Sequence, residues 1–183
     1  MKLKEQIEQY VPYNEQEEKD KKMILKYFET FDDVLTRENE FGHFSSSAWV
    51  LNKEKTKLLM IYHNIYDSWG WTGGHADGEE DLLSVALREV TEETGVENVK
   101  VISPEIAAID VITVDAHVKN NKPISSHVHL NVAYILEADE NEELVIKPDE
   151  NNGVKWVEIK DVVGLSTENK MKVIYQKIID KLK

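Results

Sequence analysis

The order of elements along the chain predicts an α/β or α+β sandwich, a mixed sheet wrapped by helices on both sides. Three observations carry this. Runs rich in apolar and β-branched residues, such as Leu58–His63 and Ile124–Leu136, read as strands. Segments with helical spacing of apolar residues stand near both ends and in the middle. Strand runs and helical runs then alternate in an order that suits two layers of helix over one sheet.

Residues 1–42 read as a helical extension packed on the side of the main domain, which takes residues 43–183. Val11-Pro12 interrupts a first short helix, because the residue before proline avoids the helical region. Asn14 with Glu17 fits a cap for a second helix, along which Ile24, Phe28, Phe31 and Leu35 recur at i, i+4, i+7 and i+11. Phe44–Leu51 and Leu58–His63 read as strands joined by the polar turn Asn52–Lys57, a hairpin. Asp67–Thr72 leads into Gly73-Gly74.

A central helix follows. Asp77 with Glu80 fits a capping box just before Leu82 and Leu83, which places Glu79, Glu80 and Asp81 in the first turn. Gly95 closes the helix as a left-handed cap. Leu82, Leu83, Ala86, Leu87 and Val90 share the core side, and Glu89, Glu92 and Glu93 overlap its edge. Beyond it, Val99–Ile102 and Ile106–Val118 read as strands, with a turn at Asn120-Asn121 before the long strand 124–136. Val154–Val157 is a short strand and Glu158–Val163 a short helix. The last helix, in Ser166–Lys183, has Met171, Ile174, Ile178 and Leu182 on one face.

Composition narrows the function classes. The chain has 183 residues, enough for one well-cored domain. Its formal charge is −13, from 35 acidic and 22 basic residues, which argues against a grip on nucleic acid polymers. With no cysteine, neither a disulfide nor a thiol nucleophile is available. No apolar run approaches membrane-spanning length, and the start, MKLKEQIEQY, lacks the apolar segment of an export signal, so the cytoplasm is the expected location.

The central helix carries the chemistry. Glu89 faces Glu92 and Glu93 at i+3 and i+4, like-charge pairs that cost ~0.2–0.5 kcal/mol each on an exposed helix. Near a core boundary, desolvation raises that cost. A divalent cation reverses it, since hard oxygen ligands suit Mg²⁺ or Mn²⁺.

Read from Gly74 to Val96, the segment fits G-x5-E-x7-R-E-U-x-E-E-x-G-U, with U apolar, at every position. It resembles the signature of the Nudix hydrolases, which cleave a nucleoside diphosphate linked to another group. Thr72 stands where many members have proline, and the entrance is Asp77-Gly78-Glu79-Glu80 rather than Glu-x-Gly-Glu. The resemblance implies the α/β/α Nudix fold, with Mg²⁺ (or Mn²⁺) held by Glu89, Glu92 and Glu93. It also implies a hydrolytic water whose proton passes to Glu89 or Glu93. Arg88 has two readings, a fork on a substrate phosphate or a partner for Glu92 or Glu80 that orients the metal ligands, and the second is preferred.

Gly73, Gly74, His75 and Trp71 are the substrate-binding candidates. The glycines let backbone approach phosphate closely. Trp69 and Trp71 offer faces for base stacking, although core packing is the preferred reading for both. A further carboxylate from outside the helix is expected from Asp115, Glu137, Asp139, Glu142, Glu143 or Glu150. His127 and His129 project to one strand face, and with His75 they fall one partner short of a zinc site.

The activity implied is a metal-dependent pyrophosphohydrolase acting on a small nucleoside diphosphate derivative. Family habit adds a homodimer. A silent nucleotide or metabolite sensor is the alternative, disfavoured because the motif glutamates are kept. An isoprenoid-diphosphate isomerase would need a cysteine. Oxidised nucleoside triphosphates, nucleotide sugars, dinucleotide polyphosphates and non-nucleotide diphosphates all fit as substrates.

Overall fold

The computed structural model describes residues 2–119 and 121–183. Helices α1 (Leu3–Gln9) and α2 (Glu15–Thr30) open the chain, and the Asn14 side chain accepts from the Glu17 N–H as the cap of α2. Leu3, Ile7 and Ile24 are buried in the main core. Phe31 caps α2 in extended backbone, so it and Leu35 reach that core from the following segment rather than from the helix.

The sheet is built around β1 (Gly42–Leu51), which is buried throughout its length. The expected hairpin between β1 and β2 (Lys57–His63) forms only at its base, where Leu51 faces Leu58. Beyond that point β1 pairs antiparallel with β4 (Thr72–His75), while β2 takes β3 (Ser68–Gly70) and β10 (Asn151–Glu158) as partners. On its other side β1 runs parallel to β9 (His127–Glu137), from Gly42 opposite Val128 to Leu51 opposite Glu137. Strands β5 (Lys100–Val101) and β6 (Ala108–Val114) pair antiparallel with β9 and complete the mixed sheet.

The predicted strand 106–118 is thus interrupted. Its end becomes β7 (His117–Lys119), which pairs with β8 (Lys122–Ile124) in a separate ribbon. Asn121 at the turn has φ of 60°, whereas Asn120 lies outside the described residues.

Strand alternation sorts side chains into two cores. Phe44, Ala48, Val50, Leu130, Val132 and Tyr134 face α3 (Leu82–Thr94) and the N-terminal helices. Trp49, Leu51, Met60 and Ala133 face α4 (Ile159–Leu165) and α5 (Asn169–Lys181), packing on Met171, Tyr175 and Ile178. Helices on both faces of a mixed sheet make the α/β/α sandwich that was expected. Among the described residues, no helix is long and apolar enough to cross a membrane.

The N-terminus of α3 differs from its sequence expectation. The cap is Asp81, which accepts from the Ser84 N–H, and Glu79, Glu80 and Asp81 all precede the helix. Asp77 and Gly78 stand at φ of 49° and 91°, a left-handed turn from which an α-helix cannot start. The Asp77 carboxylate is instead held by both arms of Arg37, with the Nε contact at 2.7 Å. The other end follows expectation, with Gly95 at φ 76° and its N–H bonded to Thr91.

Candidate active site

Two glutamates of α3 turn inward. Glu89 is 9 % exposed and Glu93 only 2 %, because both lie on the edge of the apolar stripe formed by Leu82, Val85, Ala86 and Val90. Glu93 accepts from the Gly73 N–H at 2.9 Å. Burial pushes its carboxyl up to about 8, and that single hydrogen bond does not offset the desolvation. Glu89 is also raised by burial, against the pull of Arg88, whose guanidinium lies 3.2 Å away.

The paired glycines have a definite steric reason. A Cβ on Gly74 would overlap the Glu89 carboxylate, and one on Gly73 would meet the Ser46 carbonyl oxygen at 2.6 Å. Their small size therefore lets β4 lie against the acidic helix. Gly73 spends its N–H on Glu93 rather than leaving it for a ligand.

Glu92 is placed differently. It is half exposed and pairs with Lys147 at 3.1 Å and with Arg88 at 3.8 Å. It borders an acidic depression with Glu89, Arg88, Lys147 and Glu150. Arg88 thus bridges Glu89 and Glu92, the latter one of the two partners considered from sequence. Glu150, from the loop before β10, borders both this depression and the neighbouring cleft. Of the carboxylates considered outside the helix, Glu150 is the one brought beside Glu89 and Glu93. Glu137 is engaged with Lys100, and Glu142 accepts from the N–H groups of Glu97 and Asn98.

The cleft itself has a volume of about 210 Å³. Glu89, Glu93 and Glu150 stand on its wall, with Arg37 and Lys170 supplying cationic groups and Trp71 and Tyr66 aromatic ones. Trp71 lines this space while packing edge-on against Tyr175, with ring centroids 5.4 Å apart. Trp69 packs edge-on against Tyr62 and carries the Lys155 ammonium 3.9 Å from its ring centre.

Three polar residues that sequence reasoning passed over join the lining. Ser45 and Ser47 on β1 donate to Asn131 Oδ1 at 3.0 and 2.8 Å, and Asn131 Nδ2 is buried without a hydrogen-bond partner among the described residues. Their signal in the sequence is faint, a run of three serines in β1 and one asparagine in β9.

His75 and His129 line the same cleft. Their Nε2 atoms are 3.1 Å apart, and His127 Nε2 is 3.3 Å from that of His129. His43 completes the group, its ring centroid 5.0–5.3 Å from those of the other three. Burial, with the neighbouring rings adding to it, holds His129 down to about 2.

The residues that would hold a divalent cation are suited to one. Two buried carboxylates lie one helical turn apart, with the Cβ-less backbone of Gly74 packed directly against that of Glu89, and a hard-oxygen donor set matches Mg²⁺ or Mn²⁺.

Comparison with known proteins bears on the family and the fold. A family model described as the NUDIX domain matches residues 41–182. A Lactococcus lactis protein described as a probable DHNTP pyrophosphohydrolase is 32 % identical over 98 residues. That match spans 54 % of this chain and 55 % of the relative, about half the length of each.

Among solved structures, the NUDIX domain of Shewanella oneidensis NrtR, complexed with ADP ribose, superposes with a TM-score of 0.59 at 16 % identity. The superposition covers 86 % of this chain and 97 % of that one. The E. coli dihydroneopterin triphosphate pyrophosphohydrolase superposes with a TM-score of 0.55 at 15 % identity, over 75 % of this chain and 95 % of its own. At such identities these two likenesses speak for the fold alone. With the family model covering most of the chain and the motif running from Gly74 on β4 through α3 to its cap at Gly95, the protein belongs to the NUDIX domain family.

Proposed function

We propose that the protein is a metal-dependent pyrophosphohydrolase that cleaves the diphosphate linkage of a small nucleoside diphosphate derivative. The observation that carries this reading is the pair of buried carboxylates, Glu89 and Glu93, on the wall of a cleft that also offers cations and aromatic faces. The name of the Lactococcus relative supports a pyrophosphohydrolase and adds a pterin triphosphate to the substrates worth assaying.

Glu89 and Glu93, with Glu92 and Glu150 beside them, would hold Mg²⁺, and Mn²⁺ suits the same oxygen set. When bound, the ion supplies charge neutralisation for the diphosphate and a polarised water for attack at phosphorus. The chain's own groups do the rest. The Gly73 N–H fixes the Glu93 carboxylate, and Arg88 holds Glu89 and Glu92 in place. A motif glutamate not engaged with the ion accepts the proton of the attacking water. Lys170 and Arg37 meet phosphate charge at the cleft wall, and Trp71 with Tyr66 flanks the base or its equivalent.

The test is Mg²⁺-dependent hydrolysis across nucleoside triphosphates, nucleotide sugars, dinucleotide polyphosphates and dihydroneopterin triphosphate, with Glu93→Gln alongside. Turnover of one class that collapses in the variant is expected. Tight nucleotide binding with no turnover of any substrate would favour a sensor instead.

A further inference from the structure

The four-histidine cluster lies on the opposite face of β4 from the acidic helix. Alternation along β4 turns Gly74 toward Glu89 and His75 to the other side. Register then assembles the rest. His43 is the parallel-strand partner of His129, Ser45 is the antiparallel partner of His75, and His127 is two residues from His129 on the same face. Three strands distant in sequence thereby aim four imidazoles at one point.

We propose that His43, His75 and His129, with His127 beside them, form a second metal site, one that takes a d-block divalent ion such as Zn²⁺ or Co²⁺ rather than Mg²⁺.

Distances are the first support. Nitrogens at ~2.0–2.1 Å from a tetrahedral ion lie roughly 3.3 Å from one another. The Nε2 separations here are 3.1 Å and 3.3 Å, and ligand atoms of His43, His75 and His129 all fall within 4.8 Å of one another.

Hydrogen bonding is the second. His43 Nδ1 faces the Asn39 carbonyl at 3.0 Å and His127 Nδ1 faces that of Ser125 at 2.9 Å. A carbonyl only accepts, so each Nδ1 carries the proton and each Nε2 presents a lone pair. Donation of the other ring N–H to a backbone carbonyl is the usual support of a metal-ligating histidine.

The third is an unmet need. His43 is 4 % exposed, yet its Nε2 has no hydrogen-bond partner among the described residues. His129 Nε2 stands within hydrogen-bond distance of two other Nε2 atoms and has one proton or one lone pair to share between them. Hydrogen bonds among the rings cannot satisfy both needs, whereas one cation accepts every lone pair. Imidazole donors select Zn²⁺, Co²⁺ or Ni²⁺, and carboxylate donors select Mg²⁺. The two donor sets therefore divide the available metals between them.

The experiment is a Co²⁺ titration of the full chain, free of any histidine tag, in buffer containing excess Mg²⁺. One equivalent is expected to bind with the visible d–d bands of a nitrogen-ligated tetrahedral ion, and Zn²⁺ should displace it. Glu93→Gln should keep those bands even where it abolishes turnover, which separates this site from the proposed catalytic one. His129→Gln should lose them, weakening Co²⁺ by more than the ~10–100-fold that loss of a supporting hydrogen bond costs. His127→Gln, at a half-buried position, supplies a second variant if His129→Gln fails to fold, and should shift the bands and weaken binding. Absence of bound Co²⁺ in the wild type, or bands unchanged in whichever histidine variants fold, would overturn the proposal.

Discussion

Two constellations of buried carboxylates in this protein are treated in opposite ways. In one, Glu17 on α2 is fully buried and surrounded by donors. Lys177 and Lys181 of α5 approach its Oε1 at 2.8 and 3.2 Å, while the Tyr10 hydroxyl and the Tyr13 N–H reach Oε2 at 2.6 and 2.7 Å. Burial alone would raise its pKa, but the hydrogen bonds from Lys177, Tyr10 and Tyr13 hold it below the usual value. Lys177 also contacts Asp110 on β6 at 2.7 Å, so one ammonium ties α2, β6 and α5 together.

In the other, Glu93 is nearly as hidden but, among the described residues, has one backbone N–H and no ion pair, and its carboxyl is pushed up to about 8. A charge with partners inside the chain holds elements together. A carboxylate left short of partners is available to something from outside. The same residue type therefore serves architecture in one place and, under the proposed function, chemistry in the other.

The largest separation between the two sites is expected from Glu93→Gln. Turnover should fall on the order of 10²–10⁴-fold, while the thermal midpoint of the metal-free protein should not decrease, since the variant removes a poorly partnered acid. Paired activity and melting measurements check this, and a marked loss of stability would refute the contrast.

Lys177→Met should behave in reverse. It strands Glu17 and Asp110, and breaking a buried pair costs about 3–5 kcal/mol. Chemical denaturation should show that loss, with turnover per folded molecule retained.

Gly74→Ala tests the acidic site from the glycine side. The added methyl must displace Glu89, and misplacement of a catalytic group by about 1 Å costs on the order of 100-fold in rate. Stability should change far less than in Lys177→Met.

Acid titration gives the smallest but most discriminating effect. Glu17 has a lowered folded pKa, so its contribution is fully present above its unfolded value and is lost as pH falls through the lower folded one. Asp110, raised to about 6 by burial in spite of Lys177, has the opposite sign. Its contribution is present in acid and is lost as pH rises through about 6. Denaturation curves from pH 7 to pH 3 should therefore show a shallower acid loss in Glu17→Gln and a steeper one in Asp110→Asn.

The sequence by itself determined the acidic helix. Its glutamates, arginine and closing glycine lie within one element, so covalent spacing alone sets which side chains neighbour each other. Strand existence was legible for the same local reason. The start of α3 is not legible in the sequence because the partner of Asp77 is Arg37, forty residues upstream, and no local pattern announces that pairing.

Tertiary structure alone decided the rest. The hairpin opened because β1 found two better neighbours, β4 and β9, neither visible in the β1–β2 turn. Glu150 emerged from several equivalent carboxylates only when its loop folded against α3. His43, the partner that His75, His127 and His129 lacked on sequence grounds, appeared through the parallel register of β1 on β9. A histidine in an isolated strand pattern says only which face it takes, and which other imidazoles share that face depends on how distant strands are aligned.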